Sequence, residues 1–272
     1  MSEFTLGALG LADRASADLA PELVHRLAVT LGVPVPNGPL PITWHWIFFV
    51  PLESSDALGD DGHPRRPAGR LTDTYPRRMF AGGRITSHGG LVAGRPAVRT
   101  TALRSAEEKS GRTGSLLVVG VRHRYEQDGA VVLEEEQDLV YRTAGGVPTP
   151  LPPPEGVVPD AAWRATATPD RPLLFRYSAV TFNSHRIHYD EPYATAAEGY
   201  PALVVHGPLT ATRLADLAAA RLERPLRTFA FRAEAPLFVD QKVTYLGDPT
   251  DTGADLRAVR ADGATAMSAM AT

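Results

Sequence analysis

Leucines at positions 23, 27 and 31 recur every four residues, the period that puts them on one face of a helix. That predicts a helix over Ser16–Gly32, with Ser16 as its cap and Gly32 as its stop. Pro34–Pro41 is rich in breakers and reads as a connection. Thr43–Val50 (TWHWIFFV) is aromatic and apolar and predicts a buried strand or a packed extended segment. The chain then turns polar over Glu53–Arg84, punctuated by Gly59, Gly62, Pro64, Pro67 and Gly69, which predicts a long surface excursion. From Ile85 the texture becomes strand-like: Val98–Leu103, Ser115–Tyr125 and Ala130–Val140 are expected strands, with Gln127-Asp128-Gly129 as a hairpin turn.

Ala144–Gly156 (AGGVPTPLPPPEG) holds five prolines and three glycines, so neither helix nor central strand fits it. It reads as a semi-stiff linker over 144–156 between a first domain, 1–143, and a second, 157–272. Leu173–Val180 reads as a strand. Pro208–Leu222 is the best helix of the second half, ended by Pro225. Thr228–Ala233, Lys242–Leu246 and Ala254–Ala261 follow as strands, with turns at Gly247-Asp248-Pro249 and Asp262-Gly263. The stretch from Ile85 can be laid on the stretch from Ala230: each has a strand, a Leu91-Val92 or Leu237-Phe238 pair, a turn at Gly94 or Asp240, then an alternating strand. Each half thus supplies a helix and antiparallel strands, an α+β architecture built twice.

At 272 residues the chain is comfortable for two ordinary domains, and 43% apolar residues suffice for real cores. A formal net charge of −3 gives no global pull toward nucleic acid or membrane. The absence of cysteine removes disulfides, thiolate nucleophiles and Cys-ligated zinc, and fits a cytoplasmic location. No signal peptide is expected at the N-terminus, and no apolar run is long enough to span a bilayer.

Chemistry gathers between Tyr177 and Leu209, where His185, His188 and His206 lie, with an asparagine and an aspartate near His188 and a Gly-Pro step entering a helix. A base, an orienting group and free N–H donors at a helix start are the parts needed to move a proton beside a carbonyl. His185 and His188 lie at i, i+3, but no nearby cluster of further ligands completes a metal site, and none is expected. No glycine-rich nucleotide fingerprint occurs; Gly82-Gly83 is read as a tight turn.

The segments Asn183–His188, Tyr189–Ala194 and Val205–Leu209 resemble the hydratase-2, or MaoC-like, motif of hotdog-fold enoyl-thioester hydratases. Thr43–Phe48, Gly59–Pro64, Arg77–Gly83, Lys109–Gly114 and Glu135–Arg142 resemble the double-hotdog subgroup that includes 3-hydroxyacyl-thioester dehydratase type 2 and the mesaconyl-C4-CoA and itaconyl-CoA hydratases. The resemblance covers about Pro41 to Met267. It implies a double hotdog, with an antiparallel sheet wrapping a helix in each half, and a hydro-lyase acting on an enoyl or 3-hydroxyacyl thioester.

Carried onto this sequence, the resemblance implies His188 as general acid/base, Asn183 as the amide holding water or the β-hydroxyl, and an N–H near Gly207 as oxyanion donor. Thr212, which falls where many members carry a serine, and His206 are candidate substrate-binding residues; His206 alternatively supports the backbone bend. Arg77, Arg78 and Arg84 are candidates to clamp the phosphates or the pantetheine arm. Asp190 either pairs with Arg186 or orients a histidine. Asn183 replaces the motif's aspartate, and an amide cannot serve as a base. The competing readings are a non-catalytic acyl-thioester-binding subunit and a hotdog thioesterase or cyclase. No cofactor is expected beyond the CoA or acyl-carrier-protein pantetheine of the substrate. A homodimer is compatible with the fold. For a distal carboxylate on the acyl group, Arg84, Arg186 and Arg232 are the candidate partners. The first half has no matching Asn-x4-His pair, so one active site per chain is expected.

Overall fold

The computed structural model describes residues 4–111, 114–143 and 150–272. Ten antiparallel strands form one continuous sheet in the order β1-β3-β4-β5-β2-β7-β10-β9-β8-β6. The order is a palindrome of two equivalent halves. The first contains β1 (Arg14–Asp18), β2 (Arg77–Ser87), β3 (Pro96–Gly111), β4 (Gly114–Gln127) and β5 (Ala130–Arg142). The second contains β6 (Trp163–Ala167), β7 (Thr228–Ala233), β8 (Val243–Pro249), β9 (Ala254–Val259) and β10 (Thr265–Ala271). The halves join where β2 pairs with β7, from Gly82 opposite Arg232 to Thr86 opposite Thr228.

The helices are α1 (Pro21–Leu31), the short α2 (Arg70–Thr74), α3 (Arg171–Val180) and α4 (Gly207–Leu222). Helix α4 packs against β7–β10 and buries Leu209, Ala211, Leu214, Ala215 and Ala218, the alanines being small enough to let the sheet come close. Helices α1 and α3 pack together, and Arg213 of α4 donates to the Leu31 carbonyl at the end of α1 (2.7 Å). The fold is the expected α+β hotdog architecture.

The repeat holds in detail. Leu40 N–H donates to Leu91 O (2.7 Å) as Val205 N–H donates to Leu237 O (2.8 Å). Gly94 N–H donates to Leu19 O (2.7 Å) as Asp240 N–H donates to Pro169 O (2.8 Å), and both turn residues have positive φ, +82° and +60°.

Several elements differ from the sequence reading. Helix α1 starts at Pro21, because Ser16 is taken into β1 against Val98. Thr43–Val50 is no strand. Trp44–Ile47 forms a 3-10 turn whose Trp44 N–H donates to Pro41 O (2.9 Å), so this apolar run is buried without sheet partners. Leu173–Val180 belongs to α3. The Asp170 carboxylate accepts the Leu173 N–H (2.9 Å), and Leu174, Tyr177 and Ser178 are buried at helical spacing. Strand β2 begins inside the expected excursion. Gly82 and Gly83 lie in that strand, not in a turn; a Cβ on Gly82 would sit 2.5 Å from Phe231 O and one on Gly83 2.8 Å from Glu136 O, so glycine lets the halves join. Gly247 is also in a strand, pressed against the Trp163 ring, and the reversal comes at Thr250–Gly253. Strands β1, β6 and β10 went unread. Of the expected linker, 144–149 lie outside the described residues, and 150–156 contain no helix or strand.

Candidate active site

The segment from α3 to α4 crosses the face where the halves meet. His188 ends a short 3-10 turn (Arg186–His188) and is 7% exposed. Its Nδ1 lies 2.7 Å from Val204 O, a group that can only accept. The proton therefore sits on Nδ1, and Nε2 carries the lone pair. Burial lowers the His188 pKa to about 4, so the ring is neutral near pH 7 and equipped as a base.

His188 belongs to a row of four imidazoles. It stacks on His206 (centroids 3.7 Å, planes 18° apart) and meets His185 edge-on at 5.5 Å; His185 lies 4.1 Å from His63. His206 bonds Ser178 Oγ through Nε2 (2.8 Å), while its buried Nδ1 has no partner. His206 thus supports the bend into α4. Thr212 is buried and bonds Tyr177, which lines the same cavity as Asn183, while Thr212 itself is not in that lining.

Asn183 sits two residues past the end of α3's turn. Its Oδ1 accepts the His185 N–H (3.1 Å), an Asx turn, and among the described residues its NH2 has no hydrogen-bond acceptor. Asn183 lines a cavity of about 200 Å³, together with Tyr177, Thr181 and Pro208 from the second half and His45, Trp46, Phe49 and Arg99 from the first. His188 is outside that lining. Gly207 starts α4 beside this cavity. Among the described residues no acceptor faces its N–H, and a Cβ there would touch nothing within 4 Å. An open donor at a helix start is the arrangement that binds developing negative charge.

Sequence reading missed the role of the Gly59–Pro64 loop, although it lay in the resemblance. Asp61 O accepts the Arg186 N–H (2.9 Å), Gly62 O accepts from Ser184 Oγ, and Asp60 O accepts from Arg186 Nη1 (2.9 Å). The docking brings Asp61 and His63 to His185. The expectation that no further ligand types approach is therefore corrected: one potential ligand atom each from Asp61, His63 and His185 lies within 4.8 Å of the others. Asp61 already binds the His63 ring (3.0 Å) and N–H (2.9 Å). Burial raises the Asp61 pKa, but these bonds outweigh it and bring it to about 2. His185 is lowered to about 2 by burial and then by its histidine neighbours.

The arginine clamp does not assemble as expected. Arg84 gives its guanidinium to Asp138 and Glu136, and Arg77 pairs with Glu198 (3.2 Å) and donates to Ala197 O. Arg78 alone faces the site, beside Tyr141 and close enough to help lower His63 and His185. Asp190 pairs with Arg186 (2.6 Å), which settles its open role.

In the first half, the equivalent region is built on a buried carboxylate. Glu135, 1% exposed, accepts from His45 Nε2 (2.8 Å), Tyr125 OH (2.7 Å), Trp46 Nε1 (2.8 Å) and Gln137 Nε2 (2.9 Å). His45 Nδ1 faces Ile42 O (3.0 Å), so both its ring nitrogens lie against oxygen atoms and fix the ring in place.

A long helix packed on an antiparallel sheet is the core of a hotdog fold, and a buried neutral imidazole with an open donor at the helix start suits proton transfer beside a carbonyl, the chemistry of a lyase. The family model described as "Hydroxyacyl-thioester dehydratase type 2" matches residues 43–239, and the chain belongs to that family. It is 46% identical over 266 residues to the Mesaconyl-C(4)-CoA hydratase of Chloroflexus aurantiacus, covering 96% of this chain and 95% of that one. It is 26% identical over 224 residues to the mitochondrial hydroxyacyl-thioester dehydratase type 2 of Schizosaccharomyces pombe, covering 73% and 74%. Among solved structures it resembles HtdX of Mycobacterium tuberculosis (TM-score 0.68, 17% identity, 96% and 99% covered) and a MaoC-like dehydratase (TM-score 0.70, 17% identity, 96% and 97% covered). The chain is thus a hydro-lyase, a hydratase or dehydratase of CoA thioesters. No helix among the described residues is long and apolar enough to cross a membrane.

Proposed function

We propose that this chain interconverts an enoyl-CoA and its 3-hydroxyacyl-CoA, with His188 as the base, Asn183 as the group that holds water or the β-hydroxyl, and the Gly207 N–H as oxyanion donor. The observation that carries the reading is the 2.7 Å contact from His188 Nδ1 to Val204 O, which leaves a neutral Nε2 as acceptor. In hydration, Nε2 takes a proton from water, the hydroxyl adds to Cβ, and charge moves onto the thioester oxygen beside Gly207. The proton then returns from His188 to Cα. Dehydration runs the same steps backward. Asn183 contributes through its NH2, so a second base is not required. The reaction draws on no cofactor; the pantetheine arm, of CoA or of an acyl carrier protein, belongs to the substrate.

The name of the Chloroflexus relative supports a short acyl group with a carboxylate at its far end, because a mesaconyl group is a methyl-substituted butenedioyl group. The cavity of about 200 Å³ fits that size; it is smaller than the ~300–1,000 Å³ of pockets for drug-sized ligands. The test is hydration followed at the enoyl-thioester absorbance. His188→Ala should lose on the order of 10²–10⁴ in kcat, the worth of acid–base help, with an unchanged circular dichroism spectrum. A His188→Ala enzyme at wild-type rate sinks the assignment.

A further inference from the structure

The cavity carries one feature that the reaction does not use. Arg99 is on β3 between Ala97 and Thr101, both buried, so it points to the inner face of the sheet, opposite Tyr125 on β4. It lines the same cavity as Asn183. Its Nη1 donates to Phe49 O (2.9 Å), its guanidinium lies 5.7 Å from the Phe49 ring centroid, and its Nε is enclosed without a partner. Among the described residues no carboxylate lies within ion-pair reach of it. The nearby Glu135 is fully engaged by His45, Trp46, Tyr125 and Gln137.

Arg99 is half-buried and also bonds Tyr125, but its enclosed Nε–H is a donor that is costly to leave unfilled. Its planar fork matches a carboxylate, not an alkyl chain. The three arginines expected from the sequence cannot do this. Arg84 and Arg186 are neutralised by acids, and Arg232 is exposed.

We propose that Arg99 is the specificity residue of the acyl pocket, binding a carboxylate carried at the far end of the enoyl group. This rests on the hydratase reading above and names its substrate class: short enoyl-CoAs with a carboxylate on Cβ. The Glu135 oxygens are already taken up by His45, Trp46, Tyr125 and Gln137, so Glu135 is not the partner of Arg99.

The full chain is assayed with three thioesters: a β-carboxylated enoyl-CoA (the mesaconyl type), its methyl ester, and crotonyl-CoA. Wild type should prefer the free acid to the ester. Arg99→Gln should lower kcat/KM on the acid by about 10- to 100-fold, the worth of a charged hydrogen bond. It should move crotonyl-CoA turnover by less than about 3-fold, within the additivity of uncoupled groups. Arg99→Lys should keep part of the preference. Equal losses on acid and crotonyl-CoA, or a wild type indifferent to esterification, overturn the proposal. Turnover of crotonyl-CoA alone overturns it while leaving the hydratase reading intact; turnover of none of the three overturns both. If Arg99→Gln does not fold, the acid-against-ester comparison in wild type decides.

Discussion

Gly62 is the point at which the Gly59–Pro64 loop touches the catalytic segment, and a single methyl there should separate them. A Cβ on Gly62 would lie 1.9 Å from Ser184 O and 2.9 Å from Ser184 C. Both are main-chain atoms, so no rotamer relieves the clash, and the two backbones must part until 1.9 Å becomes at least 3.0 Å. The parting strains three hydrogen bonds: Arg186 N–H to Asp61 O, Ser184 Oγ to Gly62 O, and Arg186 Nη1 to Asp60 O. At about 1 kcal/mol each, that removes ~2–4 kcal/mol of docking energy. The φ of +86° adds about 1–2 kcal/mol for any residue with a Cβ. Because the displaced segment runs straight into His188, a shift of about 1 Å should cost on the order of 10²-fold in kcat. Gly38→Ala is the control: its φ of +104° carries similar strain, but nothing lies within 4 Å of its Cβ, so it should lose stability and keep its rate. The assay is kcat for hydration of an enoyl-CoA, with hydrogen exchange at the Arg186 amide as the structural readout. A Gly62→Ala enzyme with wild-type kcat and a protected Arg186 amide refutes the docking argument.

Asn183→Asp keeps an oxygen to accept the His185 N–H but loses the NH2 donor; turnover should fall about 10- to 100-fold with little change in melting temperature, and undiminished turnover would remove the amide from the mechanism. Burial holds His188 at about 4 against about 6.5 unfolded, so the folded state favours the neutral ring. The stability this contributes is complete above about 6.5 and is lost as pH falls from there toward 4, while kcat/KM should stay flat from pH 8 to 5 as far as His188 is concerned and drop through about 4. An acid limb near pH 6.5 that disappears in His188→Gln contradicts the burial argument. Glu135→Gln should cost about 1–3 kcal/mol in denaturant unfolding, because an amide NH2 then faces buried donors that the carboxylate had satisfied. Burial pushes the Glu135 carboxyl up, but His45 and the other donors pull it well below the usual range, so its stabilisation is present above about pH 4.5 and fades on acidification. A Glu135→Gln chain as stable as wild type at pH 7 would show that the carboxylate does not hold the first half together.

What the sequence showed depended on whether a local pattern or a distant contact decided the structure. The hairpin at Asp128-Gly129 and helix α4 were legible because turn residues and spacing carry them. Residues 173–180 were not, since β-branched and aromatic side chains suit a strand, and the deciding signal was one residue upstream, the Asp170 cap. His188 and Asn183 were legible as a motif. Arg99 was not: its role comes from facing a cavity whose other wall is about 80 residues away in sequence, at Asn183. The same holds for Arg84, whose partners Glu136 and Asp138 lie on the neighbouring strand.

The two halves share a sheet, and one difference between them shapes the candidate site. Leu40 and Val205 enter through the same hydrogen bond, to Leu91 and to Leu237. After Val205 the chain runs into a helix of 16 residues; after Leu40 it makes a 3-10 turn of 4 residues. The short turn leaves space inside the first half's sheet, and its own residues His45 and Trp46, with Phe49 just beyond, become a wall of the cavity. A turn this short has almost no helical hydrogen bonding of its own, so its position depends on Glu135, which holds His45 and Trp46 at once. The buried carboxylate thus replaces the missing helix as the organiser of the first half. The proposed division of labour follows: the half with the helix carries His188 and Gly207, the proposed base and oxyanion donor, and the half without it supplies the cavity wall that includes Arg99. Neither half contains both, which makes the β2–β7 seam, with Gly82 and Gly83 at its contact, a requirement of the reaction as well as of the fold.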